Sequence, residues 1–527
     1  MRKTKGKQIT DEPKRKLSWW RLLLAILLLA GVTYGAITGW KWWKETQTAA
    51  AHSSWFASYV DVTATPTYAF EQLGTPATHN VVLSFIVSSP QNPCTPTWGA
   101  SYTMKQAGVS LDLDRRIARL MQQGGTVAIS FGGLRNNELA LTCKDPGMLS
   151  SAYQSVIDRY HIDTIDLDLE GNGLTDTDAG KRRATAIAAL QKKRRAEGKN
   201  LAVWLTLPVT PQGLSVDGTN AVSQMLANGV DISGINGMTM DYGQSRPKNQ
   251  SMEQASEAAL NEIHRQLGIL YTKAGKNINS ATLWTKIGAT PMIGQNDIVN
   301  DVFTLSDAKD LNQFARMHGI GRISMWSANR DIECGENYIN TKIVSDSCSG
   351  VTEDRLAFAT LLSSGFSGNI KQNAGIVTTD DTETNTQTPD DPAKSPYQIW
   401  KASGTYLEGT KVVWHHNVYQ AKWWTQNDMP DNPVLQAWQT PWHLLGPVLP
   451  GEKPVPQPTL PPGTYPAWTG DVEFNAGDRV LFNGVPYQAK WWTKGDSPAA
   501  STSNPDTSPW VPLTAAQVAQ IAASQNR

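Results

Sequence analysis

Four acidic residues lie close together in the stretch HIDTIDLDLEG, which begins at His161. Asp163 comes first, and Asp166, Asp168 and Glu170 follow at intervals of two residues with aliphatic residues between them. Because side chains alternate between the two faces of a strand, this spacing places the last three acids on one face. The pattern predicts a strand that carries a row of carboxyl groups, and carboxyl groups are suited to proton transfer.

Carboxyl groups this close together cannot all ionise at low cost. We therefore expect them to share a proton, and we expect the pKa of at least one of them to rise. Glu170 ends the row directly before Gly171, so it is the candidate for a general acid that works near neutral pH. The alternative is a structural row that pairs with Arg or Lys or binds a metal. No basic residue or histidine lies between these acids, and we favour proton transfer.

Residues 52–369 alternate short apolar runs with helical stretches. Eight apolar runs occur there, separated by amphipathic segments such as KRRATAIAALQKKRRAEG. Repeated strand–helix units indicate an α/β fold with a parallel sheet, and eight of them predict a (β/α)8 TIM barrel. The active site of such a barrel lies at the C-terminal ends of its strands, which is where Glu170 is expected.

The composition changes after residue 369. Residues 370–395 are polar and threonine-rich and residues 447–464 are proline-rich, so both are predicted to be linkers. The sequence YQAKWWT occurs at residues 419–425 and again, 68 residues later, at 487–493. Residues 396–446 and 465–513 are therefore predicted to be two copies of one small all-β module.

Each module copy contains a pair of adjacent tryptophans. These are Trp423 and Trp424 in the first copy and Trp491 and Trp492 in the second. Neighbours on a strand point to opposite faces, so one ring of a pair can pack inside while the other faces solvent. An exposed flat ring can stack on the apolar face of a sugar. Packing within the module core is the alternative for any of the four.

The N-terminal region predicts export from the cytoplasm. Residues 22–40 form an uncharged apolar segment of about the length that crosses a bilayer, and residues 1–21 are rich in Lys and Arg. We expect an uncleaved single-pass transmembrane helix in the inner membrane, with a cytoplasmic N-terminus and an exported catalytic domain. Cleavage of a signal peptide and secretion is the alternative.

The four cysteines are consistent with an oxidising compartment. They lack the CxxC spacing of zinc and redox motifs, so two disulfides are expected. Cys94 and Cys143 follow adjacent predicted strands and are expected to pair, whereas Cys334 and Cys348 enclose a loop after the eighth predicted strand.

The formal net charge is zero, and no basic run follows the N-terminal region. Nucleic acid is therefore not an expected partner. We expect a monomer without cofactor or metal.

Three motifs resemble glycoside hydrolase family 18, the chitinase family. The four acids fill the four positions of its DxxDxDxE signature, and residues 130–133 fit its SxGG signature on the third strand. Trp326, in the run ISMWS, fits the tryptophan of the eighth strand that lies beneath the bound sugar. The resemblance covers more than half of the chain.

The resemblance implies a retaining mechanism in which the N-acetyl oxygen of the substrate attacks the anomeric carbon. It implies that Glu170 acts first as acid and then as base, and that Asp168 holds the acetamido N–H. It further implies that Asp166 accepts a proton shared with Asp168, and that Asp163 and Ser130 support the row.

The resemblance also implies substrate contacts by Asp241 in the cleft and by Trp326 beneath the distorted ring. The family pattern Met-x-Tyr-Asp after the sixth strand is MTMD here, so Met240 replaces a tyrosine that contacts the acetamido group. Tyr242 is the nearest substitute and is included among the predicted substrate-binding residues. Ordinary barrel packing is the alternative for Met240.

The two repeats resemble the chitin-binding modules of carbohydrate-binding families 5 and 12, which share the segment AKWWT. Together the resemblances imply an enzyme that acts on chitin and chitin oligosaccharides. An endo-β-N-acetylglucosaminidase of glycoprotein glycans is one alternative, and the modules argue against it. A non-catalytic chitin-binding lectin or adhesin is another, and the presence of Glu170 argues against it.

Overall fold

The computed structural model describes residues 54–72, 75–380, 390–392, 395–448, 463–499 and 507–525, with residues 452 and 460. The basic tail and the predicted anchor at residues 22–40 lie outside the described residues, so membrane anchoring stays a prediction. Within the ranges given, no helix is both long enough and apolar enough to cross a bilayer.

Eight parallel strands close into a barrel, which confirms the predicted TIM barrel. The strands are β1 Trp55–Asp61, β2 Asn80–Ser88, β3 Thr126–Gly132, β4 Thr164–Asp168, β5 Ala202–Thr210, β6 Gly234–Met238, β7 Ile287–Thr290 and β8 Arg322–Met325. Each strand pairs in parallel with the next, and β8 pairs with β1. Closure leaves the barrel sheet without a free edge.

Helices cover the outside of the barrel. After β2 to β8, in order, come α1 Leu113–Gln122, α2 Pro146–Tyr160, α3 Thr177–Ala196, α4 Val216–Ala227, α5 Met252–Lys273, α6 Leu305–His318 and α7 Ala357–Leu362. Among the described residues between β1 and β2 there is only a short 3-10 helix, Pro76–Thr78. The expectation of a helix after every strand is therefore wrong for the first connection.

Local sequence signals fix the ends of the long helices. Ser251 caps α5 by accepting from the backbone N–H of Gln254, whose side chain bonds back to Ser251. Thr304 and Asp307 form the same capping box at the start of α6. Gly319 ends α6 with φ of 70°, a left-handed conformation that glycine adopts without strain.

The two faces of β4 have different environments. Ile165 and Leu167 are fully buried in the large core between the sheet and the helices. The opposite face points into the barrel, where a smaller cluster contains Trp55 and Trp204. The predicted alternation of aliphatic and acidic residues therefore matches the two sides of the sheet.

Both predicted disulfides are present. Cys94 bonds to Cys143, and Cys334 bonds to Cys348. The first disulfide joins the connections that follow β2 and β3. The second encloses a loop that follows β8.

The barrel extends beyond the predicted boundary at residue 369. Residues Ile370–Asn373 form a short helix, and Ile370 is buried against the interior aromatic cluster. Farther along, the backbone N–H of Thr378 donates to the Asp231 carboxylate at 3.3 Å, and Lys286 donates to the Thr378 hydroxyl. The first residues of the predicted linker thus pack on the barrel.

Two small β modules follow the barrel, as predicted. The first contains β9 Thr405–Tyr406, β10 Lys411–Trp414, β11 Asn417–Ala421, β12 Thr425–Gln426 and β13 Trp442–Pro447; the second contains β14 Glu473–Phe474, β15 Arg479–Phe482, β16 Val485–Ala489, β17 Thr493–Lys494 and β18 Trp510–Pro512. Each has a three-stranded antiparallel sheet and a two-stranded one. Trp442 and Trp510 occupy equivalent positions in the two cores. Helix α8, Ala515–Gln525, follows the second module.

Replacing each disulfide by a pair of serines should destabilise the barrel by different amounts. The disulfides span sequence separations of 49 and 14 residues. Loop entropy in the unfolded chain predicts losses of about 4 kcal/mol for Cys94–Cys143 and about 3 kcal/mol for Cys334–Cys348. Urea unfolding followed by circular dichroism measures both losses. A larger loss for the shorter loop would contradict the entropic account.

Candidate active site

The three carboxyl groups of the row extend from the barrel interior to its mouth. Asp166 is fully buried, Asp168 is 5% exposed, and Glu170 is half-buried. Glu170 stands two residues past the end of β4, at the start of the short helix Gly171–Thr175. The exposure of these side chains therefore increases along the strand.

Four side chains donate hydrogen bonds to Asp166. Its Oδ2 accepts from the hydroxyls of Tyr59 and Ser130, each at 2.8 Å. Its Oδ1 accepts from the Thr206 hydroxyl at 2.7 Å and from the Arg322 guanidinium at 2.6 Å. All five side chains are buried. Both carboxylate oxygens are thus occupied, and Arg322 balances the negative charge.

Proton sharing between Asp166 and Asp168 stays a prediction. Asp166 accepts four hydrogen bonds, three from hydroxyl groups that can rotate and one from a cation. Arg322 stabilises the ionised form of Asp166. Asp166 therefore forms the buried, hydrogen-bonded base of the row.

Asp163 lies at the other end of β4. It precedes the first residue of the strand, and its Oδ1 accepts from the Arg194 guanidinium at 2.8 Å. Its side chain is 30% exposed. The prediction that Asp163 supports the row is wrong, because its ion pair holds it at the N-terminal end of the barrel. Ser130, the other predicted support, does contact Asp166.

Asp168 has a raised pKa. Burial is the main cause, repulsion from Glu170 and Asp166 adds to it, and Arg322 opposes it. The Asp168 Oδ1 atom is buried without a hydrogen-bond partner. A buried oxygen without a partner is costly, so this atom can bind a polar N–H group of a ligand at the cleft.

Glu170 is tuned for proton transfer near neutral pH. Burial raises its pKa to about 7, with further contributions from the charges of Asp241 and Asp297. A hydrogen bond from the Leu134 backbone partly opposes this shift. A group with this pKa can both donate and accept a proton at neutral pH.

A cleft of about 580 Å³ opens above Asp168 and Glu170. The Trp326 ring forms part of its wall and stacks on Phe85, with ring centroids 5.5 Å apart. The ring centroid of Tyr59 lies 6.0 Å from that of Trp326, and the Tyr59 ring extends this aromatic surface. In the part of the chain that the structure describes, no group of three or more His, Cys, Asp or Glu side chains could hold a metal ion.

Three consecutive residues after β6 take different positions. Met240 and Asp241 line the cleft, and the Asp241 Oδ1 accepts from the backbone N–H of Ile298 at 3.1 Å. Tyr242 is buried instead, and its hydroxyl donates to Ser256 on α5 at 3.1 Å. The predicted substrate contact of Tyr242 is therefore wrong, because its side chain packs on the helix side of the sheet.

Sequence analysis missed the partners of Asp166 on other strands. Tyr59, Thr206 and Arg322 come from β1, β5 and β8. Asn236 on β6 joins them by donating to the Thr206 hydroxyl at 3.0 Å. One signal was available: Arg322 is four residues before Trp326 and so shares its side of the strand.

The tryptophan pairs of the two modules differ in exposure. Trp491 and Trp492 are 44% and 57% exposed, and Trp423 is 45% exposed. Trp424 is partly buried and packs against the core of the second module. Three of the four predicted binding rings therefore face solvent, and the fourth forms a contact between modules.

Comparison with protein families matches residues 467–511 to carbohydrate-binding module family 5/12. These residues fall within the second module. The first module has the same strand arrangement and the same YQAKWWT segment.

The barrel is similar to several chitinases. The chain is 35% identical over 291 residues to a probable bifunctional chitinase/lysozyme of Escherichia coli, and 34% identical over 286 residues to endochitinase 11 of Metarhizium anisopliae. These matches cover 54% and 53% of this chain but only 31% and 52% of the two relatives.

A solved structure matches the same region. The catalytic domain of a hyperthermophilic chitinase from Pyrococcus furiosus superposes with a TM-score of 0.52 and 27% identity, and the match covers 62% of this chain and 97% of that domain. The comparisons therefore confirm that the barrel resembles chitinases and that the chain carries a family 5/12 module.

Replacing Arg322 by methionine should leave the Asp166 charge buried without its counter-ion. The free energy of unfolding should fall by about 3–5 kcal/mol, measured by urea unfolding at neutral pH. Arg115 pairs with Asp112 on the surface, where the two side chains are 83% and 56% exposed. Arg115→Met is the matched control and should cost less than about 1 kcal/mol. Equal losses would contradict the assigned ion pair.

Proposed function

We propose that this protein, with its family 18 barrel and family 5/12 module, hydrolyses the β-1,4 bonds of chitin, poly-N-acetylglucosamine. The observation that carries the proposal is the pair of carboxyl groups at the cleft. Glu170 has a pKa of about 7, and the neighbouring Asp168 Oδ1 is buried without a hydrogen-bond partner. One group fits a proton donor, and the other fits an acceptor for an acetamido N–H. The modules would hold the barrel on insoluble chitin.

In the first step, Glu170 donates its proton to the glycosidic oxygen as the bond from that oxygen to the anomeric carbon breaks. The carbonyl oxygen of the substrate's own acetamido group forms the new bond to the same carbon, which gives a positively charged oxazolinium ring. The Asp168 Oδ1 accepts the acetamido N–H and so orients the group for attack. No protein nucleophile is needed.

In the second step, the Glu170 carboxylate takes a proton from water. The water oxygen attacks the anomeric carbon and opens the oxazolinium ring, so the product keeps its configuration. Glu170 is then protonated again for the next cycle. A pKa near 7 lets this side chain serve both steps at neutral pH.

Asp166 would act through Asp168. Its negative charge disfavours ionisation of Asp168 in the free enzyme. As the positive charge of the oxazolinium ring develops, the proton of Asp168 would pass to Asp166, and the attraction between the ring and the anionic Asp168 would strengthen along the reaction. Interactions that are stronger in the transition state than in the ground state accelerate the chemical step.

The cleft walls would position the reacting sugar. The exposed face of Trp326 can stack beneath the pyranose ring, and the carboxyl group of Asp241 can accept from a sugar hydroxyl. Met238 and Met240 form an apolar section of the wall. A methionine lacks the hydroxyl of the tyrosine expected at position 240, so acetamido binding would depend more strongly on Asp168.

Replacing Glu170 by glutamine tests the proton donor. Turnover of chitin oligosaccharides should fall by at least about a hundredfold, because the amide cannot donate the proton. Adsorption to chitin should not change. The exposed Glu197 serves as the control, and Glu197→Gln should keep full turnover. Turnover by Glu170→Gln above a tenth of the wild-type rate would mean that the acid is misassigned.

Product analysis on chitin oligosaccharides and on a high-mannose glycopeptide separates the candidate substrates. Release of glycan from the glycopeptide without cleavage of chitin would support the endo-β-N-acetylglucosaminidase alternative. Adsorption to chitin with neither product would support the lectin alternative.

The pH dependence of kcat/KM should report the ionisation of Glu170. Because the pKa of Glu170 is raised to about 7, the acid form persists up to that pH, and activity should fall at higher pH. The charge of Asp297 raises this pKa, so Asp297→Asn should move the alkaline limb to lower pH. Soluble chitin oligosaccharides assayed between pH 5 and pH 9 measure both effects. An unmoved limb would contradict the assignment.

A further inference from the structure

The first module contacts the barrel through residues 432–436, which we call the docking loop. Arg265 on α5 donates to the carbonyl oxygens of Val434 and Leu435 at 2.7 and 2.9 Å. Gln266 donates to the Leu435 carbonyl at 3.1 Å. The Leu435 side chain packs against the large barrel core. The docking loop therefore makes both polar and apolar contacts with the barrel.

One further contact places this interface at a particular side of the barrel. The Gln436 side chain donates to the Leu214 carbonyl at 3.3 Å. Leu214 pairs with Val209 in a short hairpin at the C-terminal end of β5. Thr206, three residues earlier on β5, lines the cleft. At about 3.3 Å per residue, Val209 is about 10 Å along the strand from Thr206. The docking loop thus lies on the side where the cleft opens.

Trp438 follows the docking loop directly, in the 3-10 helix Ala437–Gln439. Its side chain is 69% exposed, more than that of Trp423, Trp491 or Trp492. The second module has an aspartate at the position that corresponds by the 68-residue offset. This tryptophan therefore belongs to the first module alone, and core packing does not account for it.

Lys422 connects the Trp438 segment to Trp423. Its Nζ donates to the carbonyl of Ala437, and the same Nζ lies 4.9 Å from the centre of the Trp423 ring. The backbone segment that carries Trp438 is thus close to the exposed Trp423 ring. A single exposed apolar side chain is common, but two exposed tryptophans on neighbouring segments of one module are suited to binding a ligand.

We propose that Trp438 stacks on sugar rings, and that Trp423 and Trp438 together bind a chain of β-1,4-linked N-acetylglucosamine at a position that the docking loop fixes relative to the cleft. The proposal rests on the proposed function, because it assumes that the barrel cleaves chitin. The first module would then extend the substrate-binding surface of the barrel. The second module, with Trp491 and Trp492, would bind the polymer separately.

Adsorption to insoluble chitin tests the role of Trp438. The measurement uses the full chain with Glu170→Gln, so that the polymer is not consumed. Trp438→Ala should raise the dissociation constant about fivefold or more, because a stacked aromatic ring is lost. Trp438→Tyr should restore most of the affinity. Met429 is 40% exposed in the same module, and Met429→Ala should bind like the parent.

The outcomes separate this inference from the proposed function. If the Trp438→Ala variant adsorbs as tightly as the parent, the stacking role is overturned. If the parent itself does not adsorb to chitin, the proposed targeting fails and this inference fails with it. Loss of hydrolysis in the Glu170→Gln parent tests the proposed reaction separately, because adsorption does not depend on turnover.

Arg265→Ala tests the fixed position. This substitution removes two hydrogen bonds to the docking loop while the module tryptophans stay in place. In a chain with intact Glu170, adsorption should be kept, but degradation of insoluble chitin should slow at least twofold relative to that of soluble oligosaccharides. If the ratio of the two degradation rates does not change, the proposed fixed position of the first module on the barrel is overturned.

Discussion

The ion pair between Asp166 and Arg322 is the interaction on which the site depends. Placing a carboxylate and a guanidinium inside a barrel costs several kcal/mol per ion, and such a pair is stable only when hydrogen bonds satisfy the remaining atoms. Here three hydroxyl groups complete the shell of Asp166. The Arg322 guanidinium also lies 5.0 Å from the ring centre of Trp55 and 5.5 Å from that of Trp204. The Asp166–Arg322 ion pair joins β4 to β8 across the barrel and fixes the position of the carboxyl groups along the barrel axis.

The other two carboxyl groups of the row lie progressively farther from this buried pair and have different environments. Burial raises the pKa of Asp168, repulsion from Glu170 and Asp166 adds to the rise, and Arg322 opposes it. Glu170 is farther toward solvent and titrates near pH 7. Three acids of similar intrinsic acidity thus have different surroundings: one is paired with a cation, one has a raised pKa and one has a pKa of about 7. Their order along one strand produces this difference, because each step of two residues brings the side chain closer to the mouth.

The sequence predicted features that depend on short-range patterns. Period-two alternation placed the row on one face, eight apolar runs gave the barrel, and cysteine parity with strand adjacency gave both disulfides. It did not predict the ionic partner of Asp166, because Arg322 lies 156 residues away in the sequence and comes to face Asp166 only when the sheet closes into a barrel. It misplaced Tyr242 because Asp241 takes a φ of 50°, which reverses the expected direction of the following side chain. The packing of residues 370–378 on the barrel was also missed. A polar segment that is hydrogen-bonded to a barrel has the same composition as a linker, so composition alone does not distinguish the two.

The modules show why identical local sequence does not give identical surfaces. AKWWT occurs in both copies, yet Trp424 packs against the second module whereas Trp492 faces solvent. Leu407 packs on the same core, and the backbone N–H of Ala515 donates to the Glu408 carbonyl at 2.8 Å. The first module therefore contacts the barrel on one side and the second module on another. A freely tethered module raises the local concentration of substrate without orienting it, whereas a docked module also restricts the direction from which a polymer chain reaches the cleft. In the first copy, Trp424 therefore contacts the second module and is not available to bind sugar. In the proposed arrangement Trp438, which the second copy lacks, provides another exposed ring on the docked module.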